Sequence, residues 1–407
     1  MTDHCVIVGG GHGGAQLCAS LRQNGYSGQI TMVSKDTCLP YHRPPLSKAF
    51  LKDPAVETQI IKPQAFYDDK NIELMLGETI VSIHRFSNEI ELAGGERLHY
   101  SKLVLSTGAK ARLLNIPGTD AEGVHYLKFA EDAAQLRSEL VNAENVCVIG
   151  GGFIGLEAAA TFASLGKQVT VFEAGERLLG RAVSPEISAY FLQKHRSNGM
   201  DIRLNSSVKQ VVVSDNKVIG VESDGEVFKA QIVLIGIGVV ANCEFAELAG
   251  INCKNGIEVD SNMKTSDADI LAIGDCVSFE HWQTGSRVRL ESVQNANDQA
   301  RNAAMTLAGK AQPYSEVPWF WSDQGKDKLQ IVGLSNNSDR RVVHDQSALN
   351  KMTVYHFNGP VLVAIDTVNN PAEHMIGRRL LSGTALPAYS EVKAEGFDLR
   401  TYYKSIQ

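Results

Sequence analysis

The chain has 407 residues, which at about 150 per domain suggests two or three domains and a large core. Its formal charge of -7 disfavours non-specific nucleic-acid binding, and no uniform apolar run of about 18 residues implies a membrane span. The start, MTDHCVIVGG, lacks the basic region of a signal peptide, and seven cysteines without a C-x-x-C support neither a metal cluster nor a dithiol redox pair, so a reduced cytoplasmic protein is expected.

Cys5–Val8 reads as a strand, followed by Gly9, Gly11 and Gly14 at G-x-G-x-x-G spacing. In that pattern the first glycine permits a tight turn. The second lets backbone approach a pyrophosphate, and the third lets helix and strand pack closely. A helix is predicted over Ala15–Asn24 and a strand over Ile30–Val33, ending near Asp36, about where a ribose-binding acid belongs. His12 reads as a residue of the glycine turn rather than a catalyst. In Pro40–Lys48, PYHRPPLSK, adjacent prolines stiffen the chain, and Pro45 and Ser47 are both credible helix starts. Lys48 would then lie in a first turn, where a cation opposes the helix dipole, and this singles it out.

Short antiparallel strands are predicted at Ile80–Ser87, Glu89–Leu92 and Leu98–Tyr100, and a buried parallel strand at Lys102–Thr107. Thr107 and Gly108 begin a small-residue turn where the chain can pass near a cofactor. Asp132–Leu140, a predicted helix, leads into the stretch around which the chain is organised, CVIGGGFIGLEAAATFASLGKQVTVFE. Its strand Cys147–Ile149 meets Gly150, Gly152 and Gly155, again at dinucleotide spacing. A helix over Ile154–Leu165 and a strand over Gln168–Phe172 deliver Glu173, whose carboxylate can take both hydroxyls of an adenosine ribose. A tight turn in another kind of α/β protein is the competing reading. Two fingerprints imply two dinucleotide sites, a bound flavin dinucleotide and a nicotinamide dinucleotide meeting face to face.

A helix at Pro185–Arg196 and strands at Ile202–Leu204, Val208–Val213, Val218–Val221, Val227–Phe228 and Val233–Ile235 complete a region inserted into the first domain. The return is read from DILAIGD, Asp269–Asp275. There Asp275, beside Gly274, either accepts from a ribityl hydroxyl or is an ordinary strand–turn aspartate. A helix over Asn295–Leu307 and a linker over Pro313–Pro318 precede an aromatic, β-rich end that opens with PWFWSD. Strands are expected near Lys328–Val332, Arg341–His344, Lys351–Phe357 and Val361–Ile365, with a helix over Glu373–Leu381. Trp321 is read either as core or as part of a flavin wall. The fold class is therefore α/β. Residues 1–108 and 240–316 form a discontinuous FAD-binding domain, 109–239 an NADH-binding domain and 317–407 a smaller C-terminal α+β domain.

The stretches VIVGGGHGG, LPYHRPPLSK, LSTGA, VIGGGFIGLEAAA, VFEAGERLLGR, ILAIGDC and VPWFWSDQ together resemble the FAD-dependent, NADH-linked ferredoxin and rubredoxin reductases that serve oxygenases. The resemblance covers nearly the whole chain and implies two glutathione-reductase-like Rossmann domains. It implies non-covalent FAD, NADH as substrate, and a small [2Fe-2S] ferredoxin or rubredoxin as partner. By this resemblance Gly9, Gly11 and Gly14 hold the FAD pyrophosphate and Asp36 its adenosine ribose, although Lys35 departs from an acid common there. Arg43 and Lys48 line the flavin, Glu157 faces Lys48 near the nicotinamide, and these last two are the candidate catalytic pair. Asp275 binds the ribityl chain, Trp321 walls the isoalloxazine, and Glu173 sets NADH preference. The bottom-up alternative for Lys48 and Glu157 is a structural ion pair. Arg287, Arg289, Arg301 and Lys310 are candidates for a basic docking patch, since family ferredoxins are acidic. Two rival readings stand beside this one. A single-cysteine disulfide or coenzyme-A disulfide reductase would use Cys38, and a signalling flavoprotein would resemble apoptosis-inducing factor.

Overall fold

The apolar runs of the sequence become parallel strands covered on both faces, as such runs require. The structure is a computed structural model and describes residues 3–407. The chain divides into two compact units, each built from separated segments. The first comprises the chain up to His42, Thr58–Lys110 and Val239–Glu316; the second comprises Arg43–Glu57, Ala111–Gly238 and Val317–Gln407.

In the first unit a five-stranded parallel sheet runs Ile270–Ala272, Lys102–Leu105, His4–Val8, Gln29–Ser34, Ile72–Leu76 in spatial order. The central strand is fixed on both sides by register, Val6 lying opposite Thr31 on one neighbour and Leu103 on the other. The helices His12–Gln23 and Val293–Leu307 pack against each other, burying Leu17, Leu21, Ala300, Ala303 and Ala304. The first begins three residues before the expected Ala15, so His12 is a buried helical residue rather than part of the loop. The second begins at Val293 because Ser292 caps it, its Oγ accepting from Asn295 N at 3.1 Å. The hairpins Ile80–His84, Glu89–Leu92 and Arg97–His99 form a separate antiparallel sheet.

In the second unit a five-stranded parallel sheet has the order Asp201–Arg203, Gln168–Phe172, Asn145–Ile149, Ile232–Ile235, Val124–His125. Phe153–Ser164 follows its central strand, and Pro185–Ser197 is capped by Ser184, whose Oγ accepts from Ile187 N. The end of the chain forms a five-stranded antiparallel sheet, Trp319–Gln324, Asp327–Gly333, Val361–Val368, Lys351–Asn358, Arg340–Gln346. Pro371–Leu381 covers it at Gly377, where a Cβ would come within 2.9 Å of Ile365 Cδ1. The segment Pro313–Pro318, expected as a linker, buries Tyr314 and Val317. Among the described residues no helix is long and apolar enough to cross a membrane.

Two histidines are enclosed without partners. His281 in the first unit and His374 in the second are buried, and neither ring nitrogen of either has a hydrogen-bond partner among the described residues. Burial disfavours the imidazolium, so both are pulled from 6.5 down to about 4; for His374 the nearby Arg378 charge adds to this. Above pH 6.5 both the folded and unfolded chains carry these rings neutral. Between 6.5 and about 4 the unfolded chain takes up protons that the folded chain refuses, so stability falls as pH falls through that window. The urea midpoint is expected to drop from about pH 7 to about pH 5, and to drop less in His281→Phe. An identical pH response in that variant would remove His281 from the account.

Candidate dinucleotide sites and a lysine–glutamate pair

In the first unit the expected residues gather at the carboxyl end of the parallel sheet, where doubly wound folds hold ligands. Gly9 follows His4–Val8 with φ +118°, and a Cβ there would lie 2.2 Å from Ser106 O. A Cβ on Gly14 would lie 2.0 Å from Gly9 O, so the turn and the helix touch through backbone alone. Gly11 differs, because a Cβ there would meet nothing within 4 Å. Its lack of a side chain serves no packing and leaves space beside the start of the helix His12–Gln23, where backbone N–H groups lack intrahelical acceptors. That is the space a pyrophosphate requires.

Asp36 is half-buried two residues past the strand Gln29–Ser34. Thr107 and Gly108 follow Lys102–Leu105. Thr107 Oγ1 donates to Asn242 O at 2.6 Å, and Asn242 returns a bond from Nδ2 to Thr107 O at 2.9 Å. Gly274, φ +81°, follows Ile270–Ala272, and its N–H donates to the buried Gln299 Oε1 at 2.7 Å, presenting Asp275 half-buried in a 3₁₀ turn.

The second unit repeats the geometry. Gly150 has φ +110°, with Gly236 O 2.5 Å from where a Cβ would stand. A Cβ on Gly155 would lie 2.3 Å from Gly150 O, whereas one on Gly152 would meet only Gly236 O at 3.9 Å. Glu173 directly follows the neighbouring strand, Gln168–Phe172, and ties the turn down. Its Oε2 accepts from Gly151 N and its Oε1 from Gly175 N, each at 2.7 Å. Each oxygen retains accepting capacity for a hydroxyl. Arg177 donates to Val183 O at 2.7 Å and to Gly180 O at 2.5 Å, so its guanidinium serves its own loop.

Glu157 lies on the helix Phe153–Ser164 and is buried. Its Oε2 receives Lys48 Nζ and Ser47 Oγ, both at 2.7 Å, and its Oε1 receives Ser322 Oγ at 2.6 Å. Thr161 Oγ1, one turn further along the helix, donates to Ser47 O at 2.9 Å. Lys48 is the residue between a 3₁₀ turn, Pro44–Ser47, and a short helix, Ala49–Lys52, rather than a member of a first helical turn. Lys48 and Glu157 therefore meet, within one compact unit. The sequence reading missed Ser47 and Ser322. Ser47 stood beside the marked lysine, and only the alternation of the strand Trp319–Gln324 could have pointed to Ser322.

That strand puts Phe320, Ser322 and Gln324 on one face. Phe320 packs on Phe153 with 4.5 Å between ring centroids, and Gln324 Oε1 meets His195 Nε2 at 2.7 Å. Trp319 and Trp321 share the opposite face, 5.6 Å apart, and Trp321 is only half-buried. Arg43 stands over Phe129 at 4.8 Å and donates to Lys128 O at 3.3 Å. Of the expected docking cations, Arg289 pairs with Glu291 at 2.7 Å, Arg301 with Asp298, and Arg287 with Glu258 at 3.7 Å; Lys310 donates to Asn24 O. Three of these four cations are thus matched by carboxylates. Cys38 is exposed, and no disulfide joins any of the seven cysteines.

The glycines separate experimentally. Gly14→Ala forces a Cβ onto a carbonyl and is expected to destabilise the fold by about 1–3 kcal/mol, read as a lower thermal midpoint. Gly11→Ala is expected to keep that midpoint in the flavin-stripped chain and to lower flavin retention. Equal loss of stability in both would refute the distinction.

Known proteins match this arrangement. The family described as pyridine nucleotide-disulphide oxidoreductase matches residues 3–300, and that described as reductase C-terminal matches 319–403. Rhodocoxin reductase of Rhodococcus erythropolis is 42% identical over 398 residues, covering 97% of this chain and 93% of its own. Putidaredoxin reductase CamA of Pseudomonas putida is 38% identical over 387 residues, covering 93% and 92%. The crystal structure of the ferredoxin reductase for the CYP199A2 system from Rhodopseudomonas palustris superposes with a TM-score of 0.94 at 40% identity, over 98% of this chain and 99% of that one. With both glycine cradles in place and likeness running end to end, the chain belongs to the family of FAD-dependent NADH:ferredoxin and rubredoxin reductases of oxygenase systems.

Proposed function

We propose that this chain carries electrons from NADH through non-covalent FAD to a small [2Fe-2S] ferredoxin or rubredoxin in the cytoplasm, for the use of an oxygenase. The observation that carries the reading is the duplicated cradle, two glycine turns with open second positions, each at the carboxyl end of its own parallel sheet. FAD supplies the ability to take a hydride's two electrons at once and release them one at a time. Residues 1–108 and 240–316 are the FAD-binding part, 109–239 the NADH-binding part and 317–407 the C-terminal part.

In the first part Gly9, Gly11 and Gly14 admit the pyrophosphate, Asp36 takes the adenosine ribose, and Thr107, Gly108, Gly274 and Asp275 face the ribityl chain. Arg43 and Trp321 line the isoalloxazine. Gly150, Gly152 and Gly155 admit the pyrophosphate of NADH, and Glu173 accepts from its adenosine ribose. Lys48 and Glu157 orient the nicotinamide, Ser47 and Ser322 holding the carboxylate so that the lysine keeps one position. Orientation of this kind raises rate because the reacting carbon and nitrogen must lie close and aligned.

Two measurements test these roles. Glu173 would set a negative charge against the 2′-phosphate of NADPH, so the unchanged protein is expected to prefer NADH by kcat/KM. Glu173→Gln should lower kcat/KM for NADH by about tenfold or more, through loss of a charged acceptor, and narrow the preference. Equal use of both nucleotides by the unchanged protein would remove Glu173 as selector.

Glu157→Ala should retain FAD, since the cradle glycines are untouched. In stopped flow it should slow flavin reduction by NADH by about tenfold to a hundredfold, through lost orientation. Reoxidation by a ferredoxin should change less. Glu157→Gln, which keeps the shape and removes the charge, with one of the two serines turning to accept from the amide nitrogen, serves if the alanine variant folds poorly. Unchanged flavin reduction in both variants would reduce the pair to scaffold.

A further inference from the structure

We propose that Cys243, Glu247 and Cys253 form a binding site for one zinc-class divalent cation on the first unit. Cys243 precedes the short helix Glu244–Leu248, and Glu247 lies one helical turn beyond it, so their side chains share a face. The chain then reverses through Gly250, φ +75°, and Cys253 is bridged to Ile257 across a turn made by Asn255 and Gly256, φ +53° and +124°. This brings Cys253 back beside Cys243. One ligand atom from each of the three residues lies within 4.8 Å of the others, and Cys243 Sγ is 3.3 Å from Glu247 Oε1.

A tetrahedral zinc ion, with Zn–S of about 2.3 Å and Zn–O of about 2.0–2.2 Å, holds its ligand atoms about 3.5–3.8 Å apart. The three groups stand within 4.8 Å of one another, at most about an ångström beyond that spacing, a gap on the scale of side-chain rotation. Two thiolates and one carboxylate favour Zn²⁺ or Cd²⁺ over Mg²⁺ and Ca²⁺, which take oxygen ligands. Three protein ligands leave a fourth position for water. Access and competition also fit. Both cysteines are partly exposed and Glu247 is exposed, whereas Cys5, Cys18, Cys147 and Cys276 are buried. The neighbouring cation Lys110 is engaged by Glu244. The backbone carrying Cys243 is preset, because the adjacent Asn242 is bonded through its main chain and side chain to Thr107 and Gly108. The spacing Cys-x₃-Glu-x₅-Cys has no C-x-x-C in it, which is why the cysteine pattern alone gave no metal site.

The test uses the FAD-loaded protein, freed of adventitious metal with a chelator and titrated with Co²⁺. One equivalent should produce tetrahedral d–d bands to the red of the flavin absorption together with thiolate-to-cobalt charge transfer, and Zn²⁺ should displace it. Cys243→Ser and Cys253→Ser should each weaken binding by at least the roughly 10–100-fold that loss of a supporting partner costs a metal site. Cys38→Ser should leave it unchanged. As a measurement independent of variant folding, Zn²⁺ should protect Cys243 and Cys253 of the unchanged protein from alkylation, mapped by peptide mass. Absence of the charge-transfer band, its survival in the double serine variant, or alkylation of both cysteines unaffected by saturating Zn²⁺ would each overturn the proposal.

Discussion

A carboxylate taken out of water must be met by donors, and Glu157 is met by three from two other parts of the chain. Lys48 and Ser47 belong to the excursion Arg43–Glu57, Glu157 to the helix after the second glycine turn, and Ser322 to the first strand of the C-terminal sheet. Lys48 is partly exposed beside the buried Glu157, so breaking this pair costs less than the about 3–5 kcal/mol of a fully buried one, and the intact pair adds little net stability. Its value is specificity: it admits one arrangement of these segments. Arg137 reinforces the excursion, donating to Phe50 O, Asp53 O and Val56 O and standing 4.1 Å over the Phe50 ring.

The two glycine turns express a second constraint. At each, the third glycine is demanded by a carbonyl and the second by nothing in the protein. A residue type kept small against empty space points outward to a ligand. A residue kept small against backbone points inward to the fold. The same three-glycine pattern thus mixes two physical causes that only coordinates separate.

Much of this was legible in the sequence. Local order gave both fingerprints, their strands and helices, and the acid Glu173, because apolar period and glycine spacing are short-range signals. The boundaries moved where a cap or a turn decided them, as at Val293 behind Ser292 and at His12. The strand Ile72–Leu76 was overlooked, and so was Trp319–Gln324, where three aromatic residues masked a period-two pattern. Ser322 stands 165 residues from Glu157, and Ser47 stands 110 away. Neither serine differs locally from a surface serine. Which hydroxyl meets a buried carboxylate is a property of the assembled core, not of any window of sequence. The cation at Lys48 was noticeable only because its position opposed a helix dipole, and in the structure, where Lys48 stands at the start of Ala49–Lys52, its charge is met by Glu157 and by Pro44 O.

The alternation of Trp319–Gln324 carries a consequence for how the gene can change. Gln324 and Asp327 pair across Gly325 and Lys326, so this hairpin fixes the strand's phase. Insertion or loss of a single codon in that strand would exchange its faces, turning an indole toward Glu157 and a hydroxyl toward the aromatic side. The carboxylate would lose a donor at the same stroke as the tryptophans lost their setting. Length variation along this lineage should therefore be confined to turns such as 335–339, where Asn336, Asn337 and Asp339 are exposed, while 317–324 keeps its residue count even where its residues drift.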